Sequence, residues 1–525
     1  MGGRQARRRV VVVGAGIGGL VAALVMAVAG AEVTVLEKAP RSGGKLRRVA
    51  VAGHAIESGP TVLTMRWVFE AIFATAGARL DAHLRLTPAS VLARHFWDDG
   101  SVMDLHADED ASAAAVAALA GPNEEEGYRA FRRLTAEVFG TLEAGFVEHP
   151  APNIATLTRS VGLGGLARLS RIEPFNALAK VVGRHFRDPR LRQLFGRYAT
   201  YCGSSPYLAP GPLMLIAHVE QRGVWLVEGG LTRIAEALER IGREWGIEFR
   251  HGAEVAAIEA PRGTATGVRL GSGERIAADA VVFNGDPAAL AAGLLGSDVS
   301  RAVPGVAPGH RSLSALTWSM RGDVQGFPLS HHNVFFSKDY PAEFRDLFAR
   351  NRLPEDPTVY VCAQDRDARA TATVRGEESL FLLVNAPARS DTHPFSQEEI
   401  AACETRMVVR LARAGLRISG RREASVRTEP GDFAAMFPGS SGALYGRASH
   451  GWAASFRRPG AKTRIKGLFL AGGGTHPGAG VPMAALSGRH AASAVLTHLA
   501  STARSRPAAM PGGISMRSAT TGGTR

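Results

Sequence analysis

The hydrophobic positions of this chain change period along its length. Residues 10–13 form an unbroken β-branched run, the pattern of a parallel strand buried on both faces. A turn begins at Gly14, residues 17–29 keep helical spacing up to Gly30, and 32–37 return to a strand pattern, which makes a βαβ opening. Residues 66–150 alternate helical patterns with polar turns. Residues 150–222 are helical, basic and leucine-rich, broken by turn signals at 162–165 and 206–212. From Trp225 strands and helices alternate again. After Gly229 and Gly230 an amphipathic helix carries Leu231, Ile234, Ala235, Leu238 and Ile241. Strand patterns follow at 247–250, 255–260, 267–270 and 281–283, with a Gly271-Ser-Gly273 hairpin signal between two of them. Residues 310–385 are strand-rich, 397–415 read as a helix, and 465–500 as a last α/β unit. The fold class is α/β, and 525 residues exceed a single core, so interleaved domains are expected.

Charge changes this picture at three places. The net +14 sits in residues 1–9, in 501–525, and in 159–197, where nine basic residues face only Glu173 and Asp188. A local excess of this kind suits an anionic membrane surface. No zinc finger or RNP-like motif accompanies it and aromatics do not interleave with the basic residues, so nucleic acid is not an expected partner. Cys202, Cys362 and Cys403 lie far apart with no CxxC pairing, which excludes a disulfide framework; no metal is expected. Residues 17–36 carry the single charge Glu32 and are long enough to cross a bilayer, yet a helix followed by a buried strand explains them better. Neither a transmembrane helix nor a signal peptide is expected.

The chemistry begins at Gly14-Ala-Gly16-Ile-Gly18-Gly19, directly after a strand and at a helix start. Gly14 permits the tight turn, Gly16 lets backbone approach a pyrophosphate, and Gly19 lets helix and strand pack closely, while the helix N-terminus stabilises phosphate charge. Glu37 ends the second strand, where a carboxylate binds the ribose hydroxyls and repels a 2′-phosphate. Arg41-Ser-Gly43-Gly44-Lys45 and Glu57-Ser-Gly59-Pro60-Thr61 extend the cradle along a longer dinucleotide. Far downstream, Gly472-Gly-Gly474-Thr475-His476-Pro477-Gly478-Ala479-Gly480 lies between a strand and a helix. The positive end of that helix can face an isoalloxazine and stabilise the charge that appears on reduction. A second glycine-rich closure of this kind points to FAD rather than NAD.

These stretches carry a resemblance that runs from about residue 10 to 498. VVVGAGIGGL at 11–20, LEKAPRSGGKL at 36–46, ESGPTVLT at 57–64, WLVEGGLTRIAEAL at 225–238, ADAVVFNGDP at 278–287 and GLFLAGGGTHPGAGVPMAALSGRHAA at 467–492 resemble the bacterial phytoene-desaturase-type carotenoid desaturases. That family lies within the FAD-dependent amine-oxidase and Rab-escort superfamily. Residues 442–473 followed by VPMAALSG look most like the hydroxyneurosporene and methoxyneurosporene desaturases. The resemblance implies a FAD-binding, Rossmann-like (GR2-type) domain at 10–75, 223–295 and 460–498. It also implies a helical substrate and membrane-docking region at 76–222 and a substrate-binding domain at 296–459; outside it, the basic residues 1–9 and the Ser/Thr/Gly/Pro-rich 501–525 are expected to be disordered tails by their composition. FAD contacts are implied at Gly14, Gly16, Gly19, Glu37, Lys45, Pro60, Thr61, Val255, Gly473 and Met483.

The implied reaction is C3–C4 dehydrogenation of a 1-hydroxy or 1-methoxy acyclic carotenoid. Flavin N5 takes the hydride and a quinone or oxygen reoxidises the flavin. His476 is a candidate proton acceptor, with a structural brace as its alternative, and His331–His332 reads as an exposed loop pair. A carotenoid is about as long as a bilayer core is thick, roughly 30 Å. The enzyme is therefore expected at the cytoplasmic face of the inner membrane, as a peripheral protein. Arg168, Arg171, Arg184 and Arg187 would meet lipid phosphates while Phe175, Leu178 and Val182 dip inward. Two other readings stand beside this one: a flavin-free binding protein of the Rab-escort kind, and another flavin reaction on the same fold, such as phytoene or neurosporene desaturation, amine oxidation, polyene saturation or isomerisation. An amine oxidase usually links its FAD to a C-terminal Cys, and no Cys follows Cys403.

Overall fold

A computed structural model describes residues 8–161, 172–368, 374, 376–420 and 424–504. The β-branched run becomes strand β1 (Arg9–Val13), followed by helix α1 (Ile17–Val28) and strand β2 (Glu32–Glu37). β1 lies at the centre of a five-stranded sheet in the order Leu468–Leu470, Ala280–Phe283, β1, β2, Glu248–His251. Each neighbouring pair in it is parallel. Val12 stands opposite Val282 on one side and Val35 on the other, and all three are at most 2% exposed. Both faces of this sheet are covered, as a continuous apolar run requires, and helices cover one of them. α1 and the C-terminal helix Val481–Arg504 pack in one core with Ile234, Leu238 and Ile241 of the helix Thr232–Glu244.

A three-stranded antiparallel meander (Val255–Glu259, Gly267–Leu270, Arg275–Ala277) packs on the other face of this sheet, where Ile258, Val268 and Leu270 share a core with Val11, Val13, Val281 and Phe283. Its third strand holds only three residues, too few to display a period, so the sequence pattern passed from the Gly271–Gly273 turn straight to the next parallel strand.

The second large sheet has eight strands, in the order Arg417–Ser419, Ser314–Gln325, Glu378–Ala386, Val359–Ala363, His332–Phe335, Val91–Phe96, Val102–His106, with Ser425–Thr428 beside Ser314–Gln325. Val91–Phe96 and Val102–His106 come from a stretch that reads as helices and turns. Five of the six residues of Val91–Phe96 are buried, so it lacks the alternation that identifies a half-exposed strand. The helix Gln397–Arg413 packs on this sheet and starts at a capping box, in which Ser396 Oγ accepts from Glu399 N and Glu399 returns a bond to Ser396 N. A third core lies among the helices Pro122–Leu142, Leu178–His185 and Pro189–Gly196, with Tyr128, Phe131, Phe186 and Phe195 buried together. No described helix is long and apolar enough to cross a membrane.

One close backbone approach joins distant parts of the chain. A Cβ added at Gly488 of the C-terminal helix would lie 2.3 Å from Gly18 O of α1. Gly488→Ala is therefore expected to push the two helices apart and cost about 1–3 kcal/mol. The loss should read as a lower thermal midpoint and a smaller fraction of flavin-loaded protein.

Candidate active site

The turn after β1 is built without side chains. Gly14 has φ +99°, outside the range that L residues favour, and its N–H donates to Leu36 O at 2.7 Å. A Cβ on Gly19 would lie 2.1 Å from Gly14 O. The Gly43–Gly44 loop closes over this turn: Gly43 N donates to Ala15 O at 2.9 Å, and Gly16 and Gly43 form an isolated parallel bridge. α1 (N-cap Gly16) has no side-chain cap and no acidic residue in its first turn, which leaves its first backbone N–H groups open to an anion. Glu37 is 9% exposed; its Oε2 accepts from Ala15 N at 2.7 Å and its Oε1 from Ala39 N at 2.8 Å. The bare backbone, the uncapped helix start and the fixed carboxylate fit an anionic dinucleotide with its ribose at Glu37.

Asn284 fills the centre of this turn. Its Nδ2 donates to Gly14 O at 3.2 Å, and its side chain lies within contact of the Cβ positions of Gly16, Gly18 and Gly472. The downstream glycine segment arrives at the same place: a Cβ on Gly18 would be 2.6 Å from Gly472 N, which donates to Ser487 Oγ at 2.7 Å. The two glycine-rich turns expected to share one dinucleotide are in contact.

Arg458, 8% exposed, fastens this second turn. Its Nη1 donates to Tyr445 O and to Gly473 O, both at 2.9 Å, and its Nη2 donates to Arg447 O at 2.8 Å. Lys45 reaches the same strip of backbone, donating to Leu444 O at 2.5 Å with its ammonium 5.2 Å from the Phe437 ring centroid. Burial lowers the Lys45 pKa, and Asp286 opposes that shift. Arg458 and Asn284 lie inside the stretches that carry the resemblance, but neither drew a role from sequence, because an arginine or asparagine in a loop has no distinguishing spacing.

Thr61 faces the large sheet, where its Oγ1 shares a 2.7 Å hydrogen bond with Tyr360 Oη. Pro60 beside it is exposed, Val255 is half-buried at the start of its strand, and Met483 is half-buried in the first turn of the C-terminal helix. His476 is 3% exposed; its Nε2 lies 2.9 Å from Phe146 O and 3.0 Å from His149 O, so it is the donor nitrogen. The ring meets Phe146 edge-on and stacks on His490. A further polar cluster had no sequence signal. Arg197, Tyr198 and Glu220 are buried together, and Tyr201 donates to Glu220 Oε1 at 2.6 Å while accepting from Arg197 Nη1 at 2.9 Å.

On the surface, Phe175 is 79% exposed and its ring packs on Trp452, 48% exposed, with Leu208, 49% exposed, close by. The loops carrying Leu208 and Trp452 are tied by Gly451 N donating to Leu208 O at 2.9 Å and Ser205 N to His450 Nε2 at 3.1 Å. Leu178 and Val182 belong to the helical core, not to this outward face. Arg184 and Arg187 are exposed, whereas Arg168 and Arg171 lie outside the described residues.

Burial holds His476 and His490 down to about 4, so both are neutral in the fold while an unfolded chain protonates them near 6.5. Their contribution to stability is present above 6.5 and is lost as pH falls through about 4, on the order of 3 kcal/mol for each. Thermal midpoints measured across that window should fall more steeply for the wild type than for His476→Gln. Arg458→Met leaves three carbonyls without their charged donor and is expected to cost on the order of 3 kcal/mol, with FAD released during gel filtration.

Comparison with known proteins places this geometry. The model of flavin-containing amine oxidoreductases matches residues 17–496. The chain is 48% identical over 516 residues to a hydroxyneurosporene desaturase of Rubrivivax gelatinosus, covering 98% of each chain. It is 46% identical over 504 residues to a hydroxyneurosporene desaturase of Cereibacter sphaeroides, covering 95% of this chain and all of that one. Among solved structures, putrescine oxidase with bound putrescine superposes with a TM-score of 0.57 at 15% identity, over 94% of this chain and 99% of that one, a likeness of fold alone. The chain belongs to the flavin-containing amine oxidoreductase family, within its bacterial carotenoid desaturases, and its cofactor is FAD.

Proposed function

We propose that this enzyme introduces the C3–C4 double bond into a 1-hydroxy or 1-methoxy acyclic carotenoid. The observation that carries the reading is the near-full-length identity to hydroxyneurosporene desaturases, in a chain whose two glycine-rich turns meet. Gly14, Gly16, Gly19 and Glu37 would hold the adenosine and pyrophosphate portion, with Val255 against the adenine. Lys45, Pro60, Thr61, Gly473 and Met483 would line the flavin portion. The chemistry supplied by FAD bound there is hydride acceptance, with a quinone or oxygen as the terminal acceptor.

The chain's own residues hold that portion in place. Arg458 and Lys45 fix the backbone at 444–447 and Gly473 by charged donors, which holds the loop that would border the flavin portion. His476 takes the positioning role: its donor nitrogen anchors the glycine turn to the carbonyls of Phe146 and His149. A flavin-free binding protein is not favoured, because the phosphate turn, the ribose carboxylate and the C-terminal turn are all in place.

A carotenoid does not diffuse through water, which supports docking on the inner membrane from its cytoplasmic face. The face for this role is the apolar patch of Phe175, Leu208 and Trp452, with the exposed Arg457 following Trp452 in sequence and Arg184, paired with Glu173, contributing from the neighbouring helix.

Expression in a host that accumulates acyclic carotenoids is expected to give a red-shifted absorption spectrum only when the carotenoid carries a C1 oxygen; a shift starting from phytoene would overturn the substrate assignment. Replacing both Phe175 and Trp452 by Ser should weaken flotation with anionic vesicles at least about tenfold while FAD is retained. Unchanged flotation would place the docking face elsewhere.

A further inference from the structure

We propose that His331, His332 and Cys362 form a binding site for one thiophilic cation, of the Zn2+ or Cu+ class. His332 opens the strand His332–Phe335 and stands directly opposite Cys362 of Val359–Ala363, so the two side chains share one face of the large sheet. His332 is 2% and Cys362 1% exposed, and His331, one residue before the strand, is half-buried. One donor atom from each of the three lies within 4.8 Å of the other two. The pair is therefore not the exposed loop that adjacent histidines in a polar stretch lead one to expect.

The donors are oriented as ligands. His331 Nδ1 lies 2.9 Å from Arg366 O and must be the protonated nitrogen there, which leaves Nε2 with a free lone pair directed at Cys362 Sγ, 3.6 Å away. A tetrahedral ion with its sulfur ligand at about 2.3 Å and its nitrogen ligand at about 2.0 Å sets those two atoms about 3.6 Å apart. His332 Nδ1 is engaged by Tyr360 Oη at 2.7 Å, while its Nε2 is buried with no hydrogen-bond partner among the described residues. Imidazoles whose far nitrogens are tied to a carbonyl and a hydroxyl are the usual ligands of a protein-bound metal. Two imidazoles and a thiolate suit a late transition ion, and the absence of any carboxylate from the set disfavours Mg2+ or Ca2+. Three protein donors leave one coordination position open. Tyr360 also bonds Thr61, so the cluster adjoins the segment that faces the flavin portion.

The test needs no turnover, so it fails or succeeds independently of the proposed reaction. The full flavin-loaded chain, purified from cells supplied with zinc and copper and dialysed against a weak chelator, is analysed for metals by mass spectrometry. One equivalent per chain is expected, and the element found distinguishes Zn2+ from Cu+. Cys362→Ser and His331→Gln should lose it with the flavin spectrum unchanged. Stripped wild type titrated with Co2+ should develop a thiolate-to-cobalt charge-transfer band that Cys362→Ser lacks. Wild type that holds its flavin yet carries neither zinc nor copper, and gives no cobalt band, overturns the site and leaves the Cys362 thiol as a hydrogen-bond donor to His331.

Discussion

The structure depends on one steric constraint: three segments far apart in sequence must touch with no side chain between them. Gly18 of α1, Gly472 after the strand Leu468–Leu470, and Gly488 of the C-terminal helix approach so closely that a single added carbon at Gly18 or Gly488 would fall within 2.3–2.6 Å of backbone. Any Cβ there forces backbone to move, which a packed core resists. The same approach brings the uncapped start of α1 and the C-terminal glycine turn to one place. The space for the proposed dinucleotide then runs from the Glu37 carboxylate to the loop at Gly473.

Polar side chains secure this junction from inside. Asn284 occupies the space that the glycines leave, and Arg458 and Lys45 donate to main-chain carbonyls on the strip 444–447 and at Gly473. Charged donors in a water-poor interior hold geometry more firmly than neutral ones. His476 belongs to the same scheme: a neutral imidazole stacked on His490 ties the glycine turn to Phe146 and His149, in the segment that follows the long helix Pro122–Leu142.

Much of this was legible in the sequence. β1, α1 and β2 follow from an unbroken valine run, a glycine turn and a terminal Glu37, because backbone constraints of that kind act locally. The meeting of residues 472–480 with the first turn was also legible, since a second strand–glycine–helix unit has few other uses in a flavin fold. The strand Val91–Phe96 was not, because burial on both faces erases alternation, and its partner Val102–His106 alternates over only five residues, too few to stand out in a stretch that reads as helices and turns. Nor were the cation cluster and the Arg197–Tyr201–Glu220 network, whose members meet only through strand pairing or helix packing. Cys362 opposite His332 is a register fact, and spacing along the chain holds no trace of it. Leu178 and Val182 show the converse error: apolar residues among arginines read as a lipid-facing set, yet they face the helical core, and the exposed aromatics come partly from the distant Trp452.

A crystal structure of the flavin-loaded chain tests the meeting of the two glycine turns most directly. Electron density for one FAD is expected to run from the Glu37 carboxylate across Gly14–Gly19 and to end with its isoalloxazine between Thr61 and residues 473–483. Density that leaves the isoalloxazine away from the C-terminal glycine turn, or a dinucleotide bound without touching Gly14–Gly19, would contradict it.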